Sequence, residues 1–389
     1  MSDTNDVEFK IGIVGPSRVG KTSLVTSILA NAKDLLAGSP VSIKAKDGKT
    51  RARISQHDNA LRGSLYAREF DAGKMEGTQE AFEFQLYLGY HQSDEEQGVN
   101  LKLLDFPGKW MSPSSHPNDQ GEDWARCVRF IQQSTVLLVI IDASLIMEAS
   151  PGKESQAVPG ILNVAEVEDV VRAWAKTRSQ HTDEPGLLIL CPVKCESYFA
   201  DNGGSTDRSD ELFDAVTSIY HPLPDIIEEE NAGHTDILYM PVDTIGCVEF
   251  VDAEWRKNQQ VDGGYTFSPS FKVRGNGKLS VKGADGLLIS ISHQIVSFKE
   301  KVLHRSAEEK SIEAQYSAQQ AAENKAWWQH IGTVLFDYET SDEKYARFKK
   351  NDAEATMQKA RNIGQVLQLL TKKKPDSRMR VIHSGKKAS

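Results

Sequence analysis

Gly15-Pro16-Ser17-Arg18-Val19-Gly20-Lys21-Thr22 follows the apolar run Phe9 to Val14 and precedes Ser23 to Asp34, a stretch without Gly or Pro that reads as a helix. The eight residues fit G-x-x-x-x-G-K-[ST] without substitution, and each residue type answers to a chemical need. Glycines let backbone amides close around anionic oxygens, Lys21 reaches the outer phosphates, and the hydroxyl of Thr22 is placed to ligate Mg²⁺. The dipole of the following helix points its positive end at the same phosphates. Phosphate contacts are therefore expected from Gly15, Ser17, Arg18, Val19, Gly20, Lys21, Thr22 and Ser23.

Outward from this loop, the chain continues in an α/β pattern. After the first helix, Lys46-Asp47-Gly48 makes a polar turn and Thr50 to Phe70 reads as an inserted helix. Gly77-Thr78 then precedes Phe82, Phe84, Leu86 and Leu88, apolar residues at period two, the pattern of a half-buried strand. A short loop leads to Val99–Leu104, which ends in Asp105-Phe106-Pro107-Gly108. The short connection implies antiparallel pairing of these two strands. An acidic residue at a strand end, just before a forced turn, suits a water-mediated Mg²⁺ contact beside a phosphate.

Residues 109–123, punctuated by Pro113, Pro117 and Gly121, read as a long loop, and Trp124 to Gln133 as a helix. Thr135 to Ile141 and Leu187 to Leu190 are continuous apolar runs, the signature of strands buried on both faces. Between them, Ile161, Val164, Val167, Val171 and Trp174 recur at helical spacing. Asp210 to Glu230 reads as a helix broken near Pro222 and Pro224, and Ile237 to Val242 as the last clear strand. Asp142 ends a strand near the expected sheet edge and suits helix capping. Residues 252–283 read as a loop or hairpin excursion, and Leu287, Leu288, Ile291, Ile295, Phe298 and Val302 share one helical face that closes the domain.

The expected fold is a P-loop NTPase three-layer sandwich, mostly parallel with one antiparallel strand. Its expected extent is residues 1–304, with insertions at 35–77, 109–123 and 252–283. Residues 305–373, rich in Ala, Gln, Glu and Lys, read as a helical appendage bearing Trp327, Trp328, Ile331, Val334, Leu335 and Phe336. Residues 374–389 read as a basic, disordered tail, with contact to acidic lipid or RNA as the alternative.

At 389 residues, 39% hydrophobic and with a formal charge of −9, the chain can bury a real core and is not a nucleic-acid binder over its whole body. Four cysteines, Cys127, Cys191, Cys195 and Cys247, sit in or beside core elements and read as reduced. No apolar run approaches bilayer length and the first eight residues do not resemble a signal peptide, so a cytoplasmic location is expected.

In this order, phosphate loop, Gly-Thr, antiparallel strands and D-x-x-G resemble the translation-factor-related, Ras-like class of P-loop GTPases over about Glu8 to Phe298. The resemblance implies binding of GTP or GDP with Mg²⁺, with Thr22, Thr78 and Asp105 at the metal. Thr78 would be the first switch, and Asp105 with Gly108 the second. The family's N-K-x-D falls on Val193-Lys194-Cys195-Glu196, so Lys194 would cover the base and Glu196 would accept from it, without the asparagine. Asp243-Thr244-Ile245-Gly246 occupies the place of the final guanine loop, where an ordinary strand-end turn fits equally well.

Lys109 stands where Ras-like proteins carry the water-orienting glutamine. Arg18 is placed like the arginine finger of guanylate-binding proteins in the dynamin superfamily, which acts when two nucleotide domains meet; a solvated loop side chain is the plainer reading. Catalytic roles are thus expected of Lys21, Thr78 and Arg18. The chain is also similar to the bacterial double-GTPase group. The functional expectation is a GTPase switch for a protein partner, reached through the switch loops or the helical region. The alternatives are a nucleotide-bound scaffold with little turnover and an ATP-specific P-loop NTPase. A nucleotide kinase is the weaker third, since no lid is evident.

Overall fold

A computed structural model describes residues 8–35, 41–66, 69–70, 78–90, 99–112, 115–116, 122–180, 184–203, 206–230, 232–257, 264–295 and 376–385. In chain order the elements are β1 (Glu8–Val14), α1 (Lys21–Leu35), β2 (Val41–Ala45), α2 (Gly48–Tyr66), β3 (Glu69–Phe70), β4 (Phe82–Tyr90) and β5 (Val99–Asp105). Then come α3 (Glu122–Gln132), β6 (Val136–Asp142), α4 (Ala143–Met147), α5 (Lys153–Ile161), α6 (Val164–Arg178), β7 (Gly186–Val193), α7 (Ser209–Ile219), α8 (Pro222–Glu229) and β8 (Thr235–Tyr239). The hairpin β9 (Val248–Lys257) and β10 (Tyr265–Val273) precedes a helix over 284–295, here α9, and β11 (Arg380–His383) ends the series.

Eight strands form one sheet in the order β11-β8-β7-β6-β1-β5-β4-β2. β8, β7, β6, β1 and β5 run parallel, and β4 pairs antiparallel with β5 from Phe82↔Asp105 to Leu88↔Val99. This is the expected P-loop NTPase three-layer sandwich, mostly parallel, with β4 as the expected antiparallel strand.

Side chains of the central strands alternate between two cores. Leu137, Val139 and Ile141 of β6 face a layer built by α3, α6, α7 and α8, whereas Val136, Leu138 and Ile140 face α1 and α9. Trp174 of α6 fills the first layer and donates from its indole to the Ser134 carbonyl at 2.7 Å. Burying each such side chain stabilises by about 1.5–3 kcal/mol. Leu287, Leu288, Ile291 and Ile295 do close the second layer; Phe298 and Val302 lie outside the described residues. All four cysteines are free and buried. Among the described residues no helix is long and apolar enough to cross a membrane.

Three departures from expectation matter. The inserted segment ahead of Thr78 begins with a strand, β2, that extends the sheet beside β4 before α2 starts. Asp47 caps that helix by accepting from the Thr50 amide at 2.6 Å, and Thr50 in turn accepts from the Gln85 amide of β4 at 3.0 Å. The hairpin starts at Val248 rather than 252 and joins β3 in a separate small sheet, whose core unites Leu61 and Leu65 of α2 with Ile245, Cys247, Val248 and Phe271.

The third departure is at the far end. Residues 376–385, expected in a disordered tail, include β11, which pairs antiparallel with β8. The low apolar content is outweighed by strand pairing and by Arg378, buried in an acidic niche beside Asp201 and Asp243. Arg380 likewise pairs with Asp210. Two cations counted toward a lipid or RNA contact are thus committed within the fold. The helical appendage expected at 305–373, with its Trp327 to Phe336 patch, lies outside the described residues.

Asp376 and Met379 sit against α9. A Cβ built on Gly286 would meet the Asp376 Cβ at 2.4 Å, and Ser290 Oγ lies 3.6 Å from Met379 Sδ. Residues 376–379 thus lie beside α9, and residues 296–375 fall outside the described residues.

Candidate phosphate and metal site

The candidate site lies at the carboxyl edge of the parallel strands, where ligands of open α/β sheets bind. β1 delivers the loop 15–22, β5 delivers Asp105, β6 Asp142, β7 Lys194 and Glu196, and β8 Asp243. Gly15 adopts φ 147°, and a Cβ there would stand 2.6 Å from the Ile140 carbonyl oxygen, so the loop packs on β6 only with glycine. Arg18 holds a left-handed φ of 61°, a strained choice for a side-chain-bearing residue, with Ser17 and Arg18 exposed at the loop tip.

Lys21 is buried, and its ammonium donates to the carbonyls of Gly15 and Pro16 at 2.9 and 2.8 Å. Burial brings its pKa down to about 8, while the Asp105 carboxylate works the other way. An anion in the loop would relieve this cost.

Beside it, three oxygens converge. Thr22 Oγ1 donates to Asp105 Oδ2 at 2.6 Å, Thr78 Oγ1 donates to the same atom at 3.0 Å, and the two hydroxyls are 2.9 Å apart. The structure thus joins residues from the phosphate loop, the segment ahead of β4 and the end of β5. Asp105 is fully buried and its Oδ1 has no hydrogen-bond partner among the described residues. An orphaned carboxylate oxygen costs free energy unless a donor or cation meets it. Two hydroxyls and one carboxylate are the hard oxygen donors that suit Mg²⁺. Among the described residues no group of three His, Cys, Asp or Glu side chains converges, so a cation here would lean on hydroxyl and ligand oxygens.

Gly108 begins a short 3₁₀ turn, Gly108–Met111, whose Trp110 and Met111 are buried. A Cβ on Gly108 would meet the Pro16 carbonyl carbon and the Ser17 amide nitrogen, both at 2.3 Å. The D-x-x-G glycine therefore lies directly on the phosphate loop. Lys109 beside it is exposed.

At the other end of the site the geometry differs from the expectation. Lys194, at φ 60°, gives its ammonium to Asp142 Oδ2 at 2.5 Å. Asp142 Oδ1 meanwhile caps α4 through the amides of Ser144 and Leu145, so its capping role holds, although β6 is central rather than near an edge. Glu196 is 1% exposed, and its Oε1 accepts from the amides of Ile245 and Gly246 at 2.9 and 3.1 Å. It braces the loop after β8 from beneath instead of lying open to a base.

Motif register picks out Glu196 along the chain and carries no information about which way its side chain turns. His57 of α2 went unnoticed in the sequence: its Nε2 lies 3.1 Å from Ser23 Oγ. Burial, with Arg53 adding to it, holds this imidazole below its usual range, while Asp105 and Asp58 act in the other direction. No local pattern marks a contact between residues so far apart in sequence.

No family model matches the chain, and no curated protein matches it. Similar solved structures include Sup35 complexed with GDP, at 13% identity and TM-score 0.27, covering 61% of this chain and 38% of that one. Another is the S. cerevisiae Ski7 GTPase-like domain bound to GTP, at 9% identity and TM-score 0.30, covering 63% and 46% respectively. The chain thus spans less than half the length of either, and the fold assignment rests on strand order and direction, not on these scores.

Proposed function

We propose that this chain binds GTP and GDP with Mg²⁺, hydrolyses the triphosphate, and acts as a nucleotide-dependent switch for a protein partner. The observation that carries the reading is the meeting of Thr22, Thr78 and Asp105 beside an intact phosphate loop. Mg²⁺, when bound, would neutralise charge between the outer phosphates. Loop amides of Gly15 and residues 17–23 would hold those phosphates, and Lys21 would exchange its carbonyl partners for phosphate oxygen. Thr22, Thr78 and Asp105 would hold the metal, Asp105 through water. Gly108, lying against Pro16 and Ser17, would carry any shift of the loop into the turn 108–111.

With exposed Lys109 in the place of a water-orienting glutamine, hydrolysis by one copy alone is expected to be slow. Arg18 projects from the loop tip, where a second copy could receive it; an arginine finger accelerates turnover by about 10³–10⁵. Phosphate release measured across protein concentrations tests this, with a specific rate that rises with concentration as the expected result. No turnover at any concentration favours the scaffold reading.

Lys21→Ala is expected to abolish nucleotide binding. Thr78→Ala is expected to keep GDP and lose preference for GTP; wild-type affinities for both nucleotides would remove the switch. One observation favours a second reading, a P-loop NTPase without guanine selectivity: Glu196 is 1% exposed and its Oε1 already accepts from the Ile245 and Gly246 amides. Competition of GDP against ADP for the wild-type protein decides between the two.

A further inference from the structure

We infer that Arg378 is a positioning residue of the nucleotide site, with residues 376–385 acting as the strut that shapes the loop at its base end. The inference rests on the reading above, that a nucleotide lies along the carboxyl edge of the sheet. Phosphates at β1 and β5 leave the nucleoside to run toward β7 and β8, where Lys194 and the loop 243–246 stand.

That loop is held on every side. Thr244 accepts from Ser27 of α1 at 2.8 Å, Ile245 and Gly246 donate to Glu196, and Arg274 donates to the Gly246 carbonyl at 2.8 Å. Its first residue, Asp243, is fully buried and lies close enough to Glu196 for the two carboxylates to repel. What makes that arrangement tenable is Arg378. The guanidinium binds Asp243 with both terminal nitrogens, Nη1 to Oδ1 at 2.9 Å and Nη2 to Oδ2 at 3.0 Å. Its Nε donates to Asp201 at 2.9 Å, and its Cζ lies over the Phe199 ring, 4.1 Å from the centroid. Asn202 adds a donor to Asp243 Oδ2 at 2.6 Å.

A planar, permanently charged fork that meets two carboxylates and an aromatic face has no substitute in lysine. Without it, buried Asp243 keeps the Asn202 amide as its one side-chain donor among the described residues, with the Glu196 carboxyl beside it. The loop must then open or take up a proton. Either response displaces Thr244 to Gly246, which border the base end, and leaves the phosphate loop's own contacts in place.

The test compares ligands that share phosphates and differ in base. Affinities of Mg²⁺-GDP and Mg²⁺-pyrophosphate are measured by calorimetry for the full chain, for Arg378→Gln and for Asp201→Asn. The second variant loosens the same guanidinium from its exposed side and guards against a first that does not fold. The expected result is at least a tenfold loss for GDP in Arg378→Gln and a smaller loss in Asp201→Asn. Pyrophosphate affinity should stay within twofold, and the Ile245 and Gly246 amides should exchange faster in the GDP complex.

Equal losses for GDP and pyrophosphate would make Arg378 a general stabiliser and overturn the inference, as would folded variants with wild-type GDP affinity. Failure of the wild-type chain to bind either GDP or pyrophosphate would instead bring down the proposed function, and this inference with it.

Discussion

Replacing Gly108 by alanine places a methyl carbon 2.3 Å from both the Pro16 carbonyl carbon and the Ser17 amide nitrogen. Non-bonded carbon atoms settle at about 3.5–4.0 Å, so one of the two backbone segments must withdraw by about 1.2–1.7 Å. Neither is free to do so. The turn is anchored by buried Phe106, Trp110 and Met111, and the loop by the packing of Gly15 on Ile140 and the two bonds of Lys21. Forcing a methyl group into such a contact costs about 1–3 kcal/mol.

If the turn gives way, the loss appears as stability. If the loop gives way, the cradle deforms and the same energy appears as a roughly 5- to 150-fold weaker complex. Urea unfolding of the nucleotide-free chain and titration with a fluorescent GDP analogue read the two shares. A destabilisation of about 1 kcal/mol or more, together with at least fivefold weaker binding, is expected. A Gly108→Ala protein with wild-type values in both assays would refute the claim that the turn 108–111 and the phosphate loop touch through this glycine.

Glu196 carries a pH prediction. Burial, with repulsion from Asp243, pushes its carboxyl up to about 7 against the pull of the Gly246 and Ile245 amides. The folded state then holds a proton that the unfolded state has released, so this group's contribution is full below about pH 4.5 and fades as pH rises through about 7. Glu196→Gln should flatten that part of the stability profile; a slope identical to wild type in urea melts at pH 5 and 8 would contradict it. Glu196→Ala should cost about 1–3 kcal/mol for each amide left bare. Lys21, held near 8 by burial, should regain a proton when phosphates arrive, so GDP binding at pH 9 should show buffer-dependent heats, and their absence would exclude that coupling. Gly63 sits exposed within α2 with nothing within 4 Å of a built Cβ, so Gly63→Ala should stabilise by about 0.5–1 kcal/mol, seen as a higher urea midpoint.

What the sequence revealed follows from where its constraints are local. The phosphate loop was legible because ligand chemistry dictates residue types at fixed spacing. β6 and β7 were legible because strands buried on both faces must be apolar without interruption. Val41–Ala45 was not: it alternates apolar and polar residues as a strand does, but a run of five is too short to stand out. β11 was hidden for another reason. Arg378 reads as one more cation in a basic run until Asp201 and Asp243 are seen around it, and that neighbourhood exists only in three dimensions. Glu196 marks an intermediate case, in which position followed from the motif and orientation followed from the fold.

The placement of β11 also bears on how the protein matures. Of the strands described, it is the one synthesised after all the others, with residues 296–375 still to emerge once α9 is complete. A nascent chain at that stage has its phosphate loop, Thr78 and Asp105 already translated, yet Asp243 lacks its cation and β8 is an open edge. Emergence of residues 376–385, rather than translation of the motif residues, therefore sets the moment at which Asp243 gains its guanidinium partner.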